Sequence, residues 1–188
     1  MSSPVDLNKL RNTILSSQAR NQNLPSDPER KIMVTKEGKI LDGNSNQNGN
    51  PKQLSEVHQG VFASPSSRIE YERKIVQDKF PKNTRFIEVD GIKGWYYSFR
   101  DEFEQPYEMY AYFDGNAYQV KVVYPEVEGK YNSVHECHLY RDGRICFGNQ
   151  YAGGLPSLEI AYAKSVLWAN GFTAFEHTKK YPFSTNNL

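Results

Sequence analysis

Residues 134–148 read VHECHLYRDGRICFG, and this stretch decides how the rest of the chain is interpreted. It holds both cysteines of the protein and two of its four histidines. Asp142 and Gly143 favour a tight reversal of the chain, because both residue types tolerate a positive φ. A turn there predicts that Cys146 lies just beyond it, with its side chain facing solvent. The same turn can bring the imidazole of His138 near the thiol.

The overall composition limits the class of protein. A chain of 188 residues is long enough for one domain with a real core and an appendage. The net charge of +1 argues against strong electrostatic attraction to nucleic acid or to a membrane surface. No apolar run approaches the roughly 20 residues that span a bilayer, and residues 1–6 lack the basic start of a signal peptide. Two cysteines are too few for a disulfide scaffold, so we expect a cytoplasmic, reducing setting.

Residues 1–63 are predicted to form a helical and flexible extension ahead of a catalytic domain at 64–188. Asp6 can cap a helix that runs to about residue 20. Two apolar runs within residues 31–41 flank a Lys-Glu-Gly step and predict a hairpin. The Asn-, Gly- and Ser-rich tract at 42–51 has little to bury, so we interpret it as a flexible loop.

Two helices are predicted in the main domain. Ser66 or Ser67 caps the first, which covers residues 68–79. The second begins at or near Ser157 and stops at the Asn170-Gly171 step, because this pair commonly ends a helix.

Between these helices the apolar residues no longer recur at helical spacing but at every second position. Four such runs, joined by short turns, predict an antiparallel β-meander, since connections of this length leave no room for crossover helices. The runs cover residues 86–89, 95–99, 107–113 and 117–123. Their Tyr and Phe side chains are interpreted as core packing; a base-stacking platform is the alternative, but basic residues are not interleaved among them. The predicted fold class is therefore α+β, an antiparallel meander flanked by helices.

The motif at the cysteine resembles the active-site segment of ubiquitin-conjugating enzymes. It reads His-x-Tyr-x-Asp-Gly-x-Ile-Cys and comprises His138, Tyr140, Asp142, Gly143, Ile145 and Cys146. In the eukaryotic enzymes a His-Pro-Asn tripeptide precedes the cysteine, and its Asn occupies the position of His138. Bacterial relatives, often encoded in antiphage-defence operons, commonly carry His there, so this chain resembles the bacterial branch.

The resemblance covers about residues 65–175 and implies a ubiquitin-conjugating-enzyme-like fold whose first helix helps to bind an activating enzyme. It also implies a ubiquitin-like modifier protein and a protein target as partners. We expect no cofactor, no bound metal, no nucleic acid and no membrane partner. The chain departs from the family after Tyr124-Pro125, where further prolines and another strand are typical, and only a short link leads to His135.

The implied chemistry is transfer of an acyl group through a thioester. Cys146 would accept the C-terminus of the modifier and pass it to an amine on the target. A free thiol has a pKa of about 8.5, and the small ionised fraction at neutral pH suffices when the incoming group is an activated thioester. His138 is predicted to assist transfer, as donor to the oxyanion or as base toward the amine, with a structural role as the alternative. Tyr140, Asp142 and Asn149 are predicted to shape the site.

Three other interpretations of these residues remain open. A catalytically inactive adaptor of the same fold would bind a ubiquitin-like protein or an activating enzyme without carrying a thioester. A zinc site would use His135, Cys137, His138 and Cys146, although the spacing is poor and no Cys-x2-Cys is present. A Cys-His hydrolase is the third, although such enzymes usually place the cysteine at a helix N-terminus. Cys137 is interpreted as a buried small hydrophobe and His135 as structural or a second catalytic candidate; the other histidines are assigned no role.

Overall fold

The computed structural model describes residues 32–42, 64–131, 134–148 and 154–182. The predicted helix after Asp6 and the polar tract from residue 43 onward lie outside these ranges. None of the described helices is long and apolar enough to cross a membrane. The elements in chain order are β1 (Ile32–Val34), β2 (Ile40–Asp42), α1 (Pro65–Lys79), β3 (Arg85–Val89), β4 (Ile92–Arg100), β5 (Pro106–Phe113), β6 (Tyr118–Tyr124), α2 (Val134–Cys137) and α3 (Leu158–Thr178).

Strands β3 to β6 form one antiparallel sheet in the order β3-β4-β5-β6, so the predicted meander is confirmed. The β3–β4 connection is a two-residue loop, Asp90-Gly91, in which both residues have a positive φ (51° and 80°). This backbone matches the twist of the flanking strands, and it sets Val89 opposite Ile92. The sheet and its helices make the protein α+β, as predicted.

Helix α1 begins earlier than predicted, because Ser64 is its N-cap. The Ser64 hydroxyl accepts a hydrogen bond from the Ser67 N–H at 3.2 Å, and the Ser67 hydroxyl accepts one from the Ser64 N–H at 3.2 Å. Pro65 then occupies the first helical position, where its fixed φ suits the helix and its missing N–H costs no hydrogen bond. The prediction of Ser66 or Ser67 as cap is wrong, because the extended conformation that a cap requires is imposed on the residue before the proline.

Helix α3 packs on one face of the sheet and continues through the predicted stop. Ser157 is its N-cap, as predicted. The predicted end at Asn170 is wrong, because the helix runs to Thr178. The buried Asn170 amide donates to the Val166 carbonyl at 2.9 Å and accepts from the Glu102 N–H at 3.0 Å. The Asn170 side-chain amide, which could otherwise favour a helix end, is bonded to Val166 and Glu102 instead. These tertiary contacts override the stop signal of the Asn170-Gly171 step.

The β1–β2 hairpin, predicted at residues 31–41, packs on the main domain. The Tyr162 hydroxyl of α3 donates to the Thr35 carbonyl at 2.9 Å, and the Lys39 ammonium donates to the Asp101 carbonyl at 2.7 Å. The predicted domain boundary at residue 63 therefore falls between the hairpin and a main domain that it contacts.

A buried carboxylate fastens α1 to the sheet. Glu72 is 1% exposed, and it accepts hydrogen bonds from the Trp95 indole of β4 at 2.6 Å and from the Tyr118 hydroxyl of β6. Arg68, one turn earlier on α1, donates to the same carboxylate at 2.5 Å. A buried carboxylate is stable only when such donors satisfy it. The bonds from Trp95 and Tyr118 hold α1 against β4 and β6, and the bond from Arg68 balances the charge within the helix.

Removing this carboxylate should destabilise the fold. Glu72→Ala leaves the Trp95 N–H and the Tyr118 hydroxyl buried without their acceptor, so we expect the free energy of unfolding in urea to fall by about 3 kcal/mol. Glu70→Ala, at an exposed position of the same helix, is the matched control and should change it by less than about 0.5 kcal/mol. Equal losses in the two variants would contradict the role assigned to Glu72.

Candidate active site at Cys146

Cys146 lies in a short hairpin whose turn is the predicted Asp-Gly reversal. The Tyr140 N–H donates to the Arg144 carbonyl at 2.7 Å, and the Gly143 N–H donates to the Tyr140 carbonyl at 3.0 Å. Gly143 has a φ of 81°, in the left-handed region that favours glycine. The loop is thus a type I turn followed by a bulge, a common three-residue hairpin connection. The Cys146 N–H closes the hairpin on the carbonyl of His138 at 2.8 Å.

This hairpin extends the sheet beyond β6. The Ile145 N–H donates to the Val120 carbonyl at 2.9 Å, and the Val122 N–H donates to the Gly143 carbonyl at 2.9 Å. The side chains of Ile145 and of Leu139, its partner across the hairpin, are 1% and 2% exposed. Cys146 is therefore held at the sheet edge by buried neighbours on both arms of the hairpin.

Tyr140 contacts the thiol directly. A hydrogen bond between the Tyr140 hydroxyl and Cys146, reinforced by partial burial, raises the pKa of Tyr140, so the phenol stays protonated and can donate. The Arg144 guanidinium lies 5.3 Å from the centroid of the Tyr140 ring, which is a cation–π contact. The Cys146 side chain is only partly exposed, and Tyr140 lies against one side of it.

Asp142 shapes the turn through Arg144. Its carboxylate accepts from the Arg144 Nε at 2.7 Å and from the Arg144 N–H at 3.1 Å. Partial burial tends to raise the pKa of Asp142, but the hydrogen bonds and charge of Arg144 outweigh it and lower that pKa. Asp142 is therefore a charged partner that holds Arg144 beside Tyr140. Arg144 was not among the predicted site residues, because its only signal in the sequence is a basic residue directly after the Asp-Gly turn.

His138 contacts Cys146 through a backbone hydrogen bond, in which its carbonyl accepts from the Cys146 N–H. His138 follows α2 with a φ of 54°, and this left-handed conformation is commoner for His and Asn than for most other residues. Its imidazole is 4% exposed and packs edge-on against the ring of Tyr181, with the ring centroids 4.6 Å apart. The Tyr181 hydroxyl in turn donates to the Trp168 carbonyl of α3 at 3.2 Å. Tyr181 was missed as a site residue, because an aromatic tail by itself predicts packing and not a particular neighbour.

Cys137 is buried, whereas Cys146 is partly exposed. The Cys137 side chain is fully buried, and the Cys137 carbonyl accepts from the Trp168 indole at 2.9 Å. Burial, followed by the charges of Glu136 and Glu176, raises the pKa of Cys137 to about 12. A thiol in this environment is almost wholly protonated at neutral pH, which agrees with its interpretation as a buried small hydrophobe.

The zinc arrangement considered for this stretch is not assembled among the described side chains. No three His, Cys, Asp or Glu side chains within the described ranges are grouped as metal ligands. The side chain of His135 and the whole of Asn149 lie outside what the structure describes, so their predicted roles stay predictions.

No protein-family model matches this chain, and no curated protein or solved structure matches it either. The motif and the geometry of the site are therefore what bear on function.

The two cysteines should react very differently in the folded protein. At pH 8, iodoacetamide should alkylate Cys146 at least about 100-fold faster than Cys137, because Cys137 is inaccessible and almost entirely un-ionised. Peptide mass mapping of quenched time points gives both rates. The same reaction in urea is the control and should label both residues; rapid labelling of Cys137 in the native protein would contradict its burial.

Proposed function

We propose that this protein conjugates a ubiquitin-like modifier, accepting its C-terminus as a thioester on Cys146 and transferring it to an amine on a protein target. The observation that carries the proposal is the partly exposed thiol of Cys146, which interacts with the Tyr140 hydroxyl. It lies at the end of a hairpin that adds to an antiparallel sheet. The hairpin contains the whole His-x-Tyr-x-Asp-Gly-x-Ile-Cys motif.

The order of elements supports the same family of enzymes. A helix, a four-stranded antiparallel meander, the cysteine hairpin and a long helix follow one another along the chain. This order agrees with the ubiquitin-conjugating-enzyme-like fold that the motif implies. An activating enzyme, a ubiquitin-like modifier and a protein target are the partners that such a reaction needs.

The residues at the site fit both halves of the reaction. In the first half, the Cys146 thiolate attacks the thioester carbonyl of the charged modifier and expels the thiolate of the activating enzyme. In the second half, an amine attacks the Cys146 thioester, the new C–N bond forms, the C–S bond breaks, and the amine proton leaves to a base or to solvent. Cys146 is the nucleophile in one half and the leaving group in the other, and the Tyr140 hydroxyl lies beside the sulfur in both.

His138 has two features that suit this reaction. Its carbonyl fixes the Cys146 backbone, and its left-handed conformation suits Asn as well as His. Asn stands at this position in the eukaryotic enzymes that the motif resembles. A hydrogen-bond donor at the tetrahedral oxyanion is worth about 2.7–4 kcal/mol.

A second candidate is the inactive adaptor, and the packing of His138 favours it. The imidazole is almost completely buried against Tyr181. An adaptor needs no mobile imidazole, only a surface for a ubiquitin-like protein or an activating enzyme.

Thioester formation tests conjugation directly. The protein is incubated with ATP and with the candidate activating enzyme and modifier from neighbouring genes, and intact masses are measured without reductant. We expect a modifier-sized adduct that dithiothreitol removes, that Cys146→Ala abolishes and that Cys137→Ser retains. Cys146→Ser should instead give an adduct that resists dithiothreitol, because an oxygen ester replaces the thioester. If the activating enzyme is charged and the wild-type protein gains no adduct, conjugation is wrong and binding assays then test the adaptor.

Discharge of a preformed thioester tests the role of His138. With free lysine as acceptor, His138→Ala should slow discharge about 100-fold because the donor is lost, whereas His138→Asn should stay within about 5-fold of wild type. His177→Ala, at an exposed position near the end of α3, is the control. Equal slowing in the Ala and Asn variants would show that the imidazole acts as a base, and no slowing in either would leave His138 only its backbone role.

A further inference from the structure

A groove lies between the C-terminal half of α1 and strand β3. It encloses about 400 Å³, which is within the size range of pockets that bind a side chain or a small ligand. Its floor is apolar and is formed by Val76, Phe80, Phe86 and Trp95. The Phe86 and Trp95 rings contact each other with their centroids 4.8 Å apart, so they form one continuous aromatic surface.

The charged residues around the groove are all basic. Arg73 and Lys82 line it, both are exposed, and no Asp or Glu is among the lining residues. The Arg73 guanidinium lies 5.7 Å from the Phe86 ring centroid and 6.0 Å from that of Trp95. Neither basic side chain is in an ion pair with a described residue. The groove therefore combines an aromatic floor with two cations that are available to a negatively charged partner.

One wall of the groove belongs to a strand with an open edge. Strand β3 pairs with β4, and no other described strand lies on its far side. The two-residue loop makes Val89 and Ile92 a hydrogen-bonded pair, so the alternate residues Phe86 and Glu88 direct their N–H and C=O groups outward. The Phe86 ring thus lines the groove, and the Phe86 N–H and C=O can pair with an added strand.

We propose that this groove binds an extended acidic segment of a partner protein. The segment adds as a strand along the edge of β3 and places an aromatic side chain on the Phe86–Trp95 floor. Its carboxylates lie at the end next to Arg73 and Lys82. Main-chain hydrogen bonds would supply affinity, and the pocket and the two cations would supply specificity.

The proposed groove is separate from the thiol. The hairpin of Cys146 adds to β6, and β3 is the opposite edge of the four-stranded sheet. With neighbouring strands about 4.8 Å apart, the two edges lie on the order of 14 Å from each other. A segment on β3 can therefore stay bound while Cys146 reacts, and binding there does not depend on the proposed conjugating activity.

Fluorescence anisotropy with defined peptides tests the proposal on the full-length protein. The probe is a fluorescein-labelled peptide, Asp-Glu-Phe-Thr-Val-Thr. We expect saturable binding that weakens about 10-fold when Phe is replaced by Ala, when both acids are replaced by Lys, or when alternate amides of the peptide are N-methylated. The N-methylated peptide tests strand addition without altering the protein.

Charge-reversal variants locate the site. Arg73→Glu and Lys82→Glu should each weaken binding about 10-fold, whereas Lys74→Glu, at an exposed position of α1 outside the groove, should change it less than about 2-fold. Circular dichroism checks that each variant is folded, and the alkylation rate of Cys146 should not change when the peptide binds. Equal effects of the Arg73 and Lys74 changes, or no saturable binding at millimolar peptide, would overturn the proposal. Sedimentation velocity showing a dimer that Arg73→Glu dissociates would also overturn it, since a second copy of the chain would then be the occupant.

Discussion

Glu72 brings a carboxylate into the core, where it accepts hydrogen bonds from Trp95 on β4 and from Tyr118 on β6. Trp95 forms part of the floor of the α1–β3 groove. Tyr118 begins β6, the strand to which the Cys146 hairpin is hydrogen-bonded. One carboxylate therefore fixes α1 relative to the inner strand β4 and the edge strand β6, and each candidate site includes one of these two strands. Its ion pair with Arg68 keeps the charge compensated in a place where an unpaired carboxylate would be costly.

The Cys146 hairpin depends on backbone conformation as much as on side chains. Left-handed residues stand at both ends of its first arm, His138 after the short helix α2 and Gly143 in the turn. The first redirects the chain from helix to strand, and the second completes the bulged turn. Between them, the buried Leu139 fixes which face of the hairpin points into the core. Tyr140 is consequently directed to the same side as Cys146, which explains their hydrogen bond.

Local sequence signals predicted the elements whose formation depends on local interactions. The period of two and the Asp90-Gly91 turn were sufficient for the meander, and Ser157 was sufficient for the start of α3. The failures have tertiary causes. Asn170 continues a helix because its amide is bonded across the fold to Glu102, a residue far away in sequence. The direction of the His138 ring could not be predicted either, because a positive φ at a residue other than glycine leaves no pattern in the sequence.

The unequal edges of the four-stranded sheet have a consequence for self-assembly. Cross-β stacking requires two unpaired edges per molecule, so that each added copy presents a new template. In the four-stranded sheet the Cys146 hairpin occupies the β6 edge, and no described strand pairs with the outer edge of β3. That edge is only five residues long and carries Arg85 and Glu88. Pairing of two molecules along β3 would therefore use the open edge of both four-stranded sheets and leave no β3 edge for a third molecule.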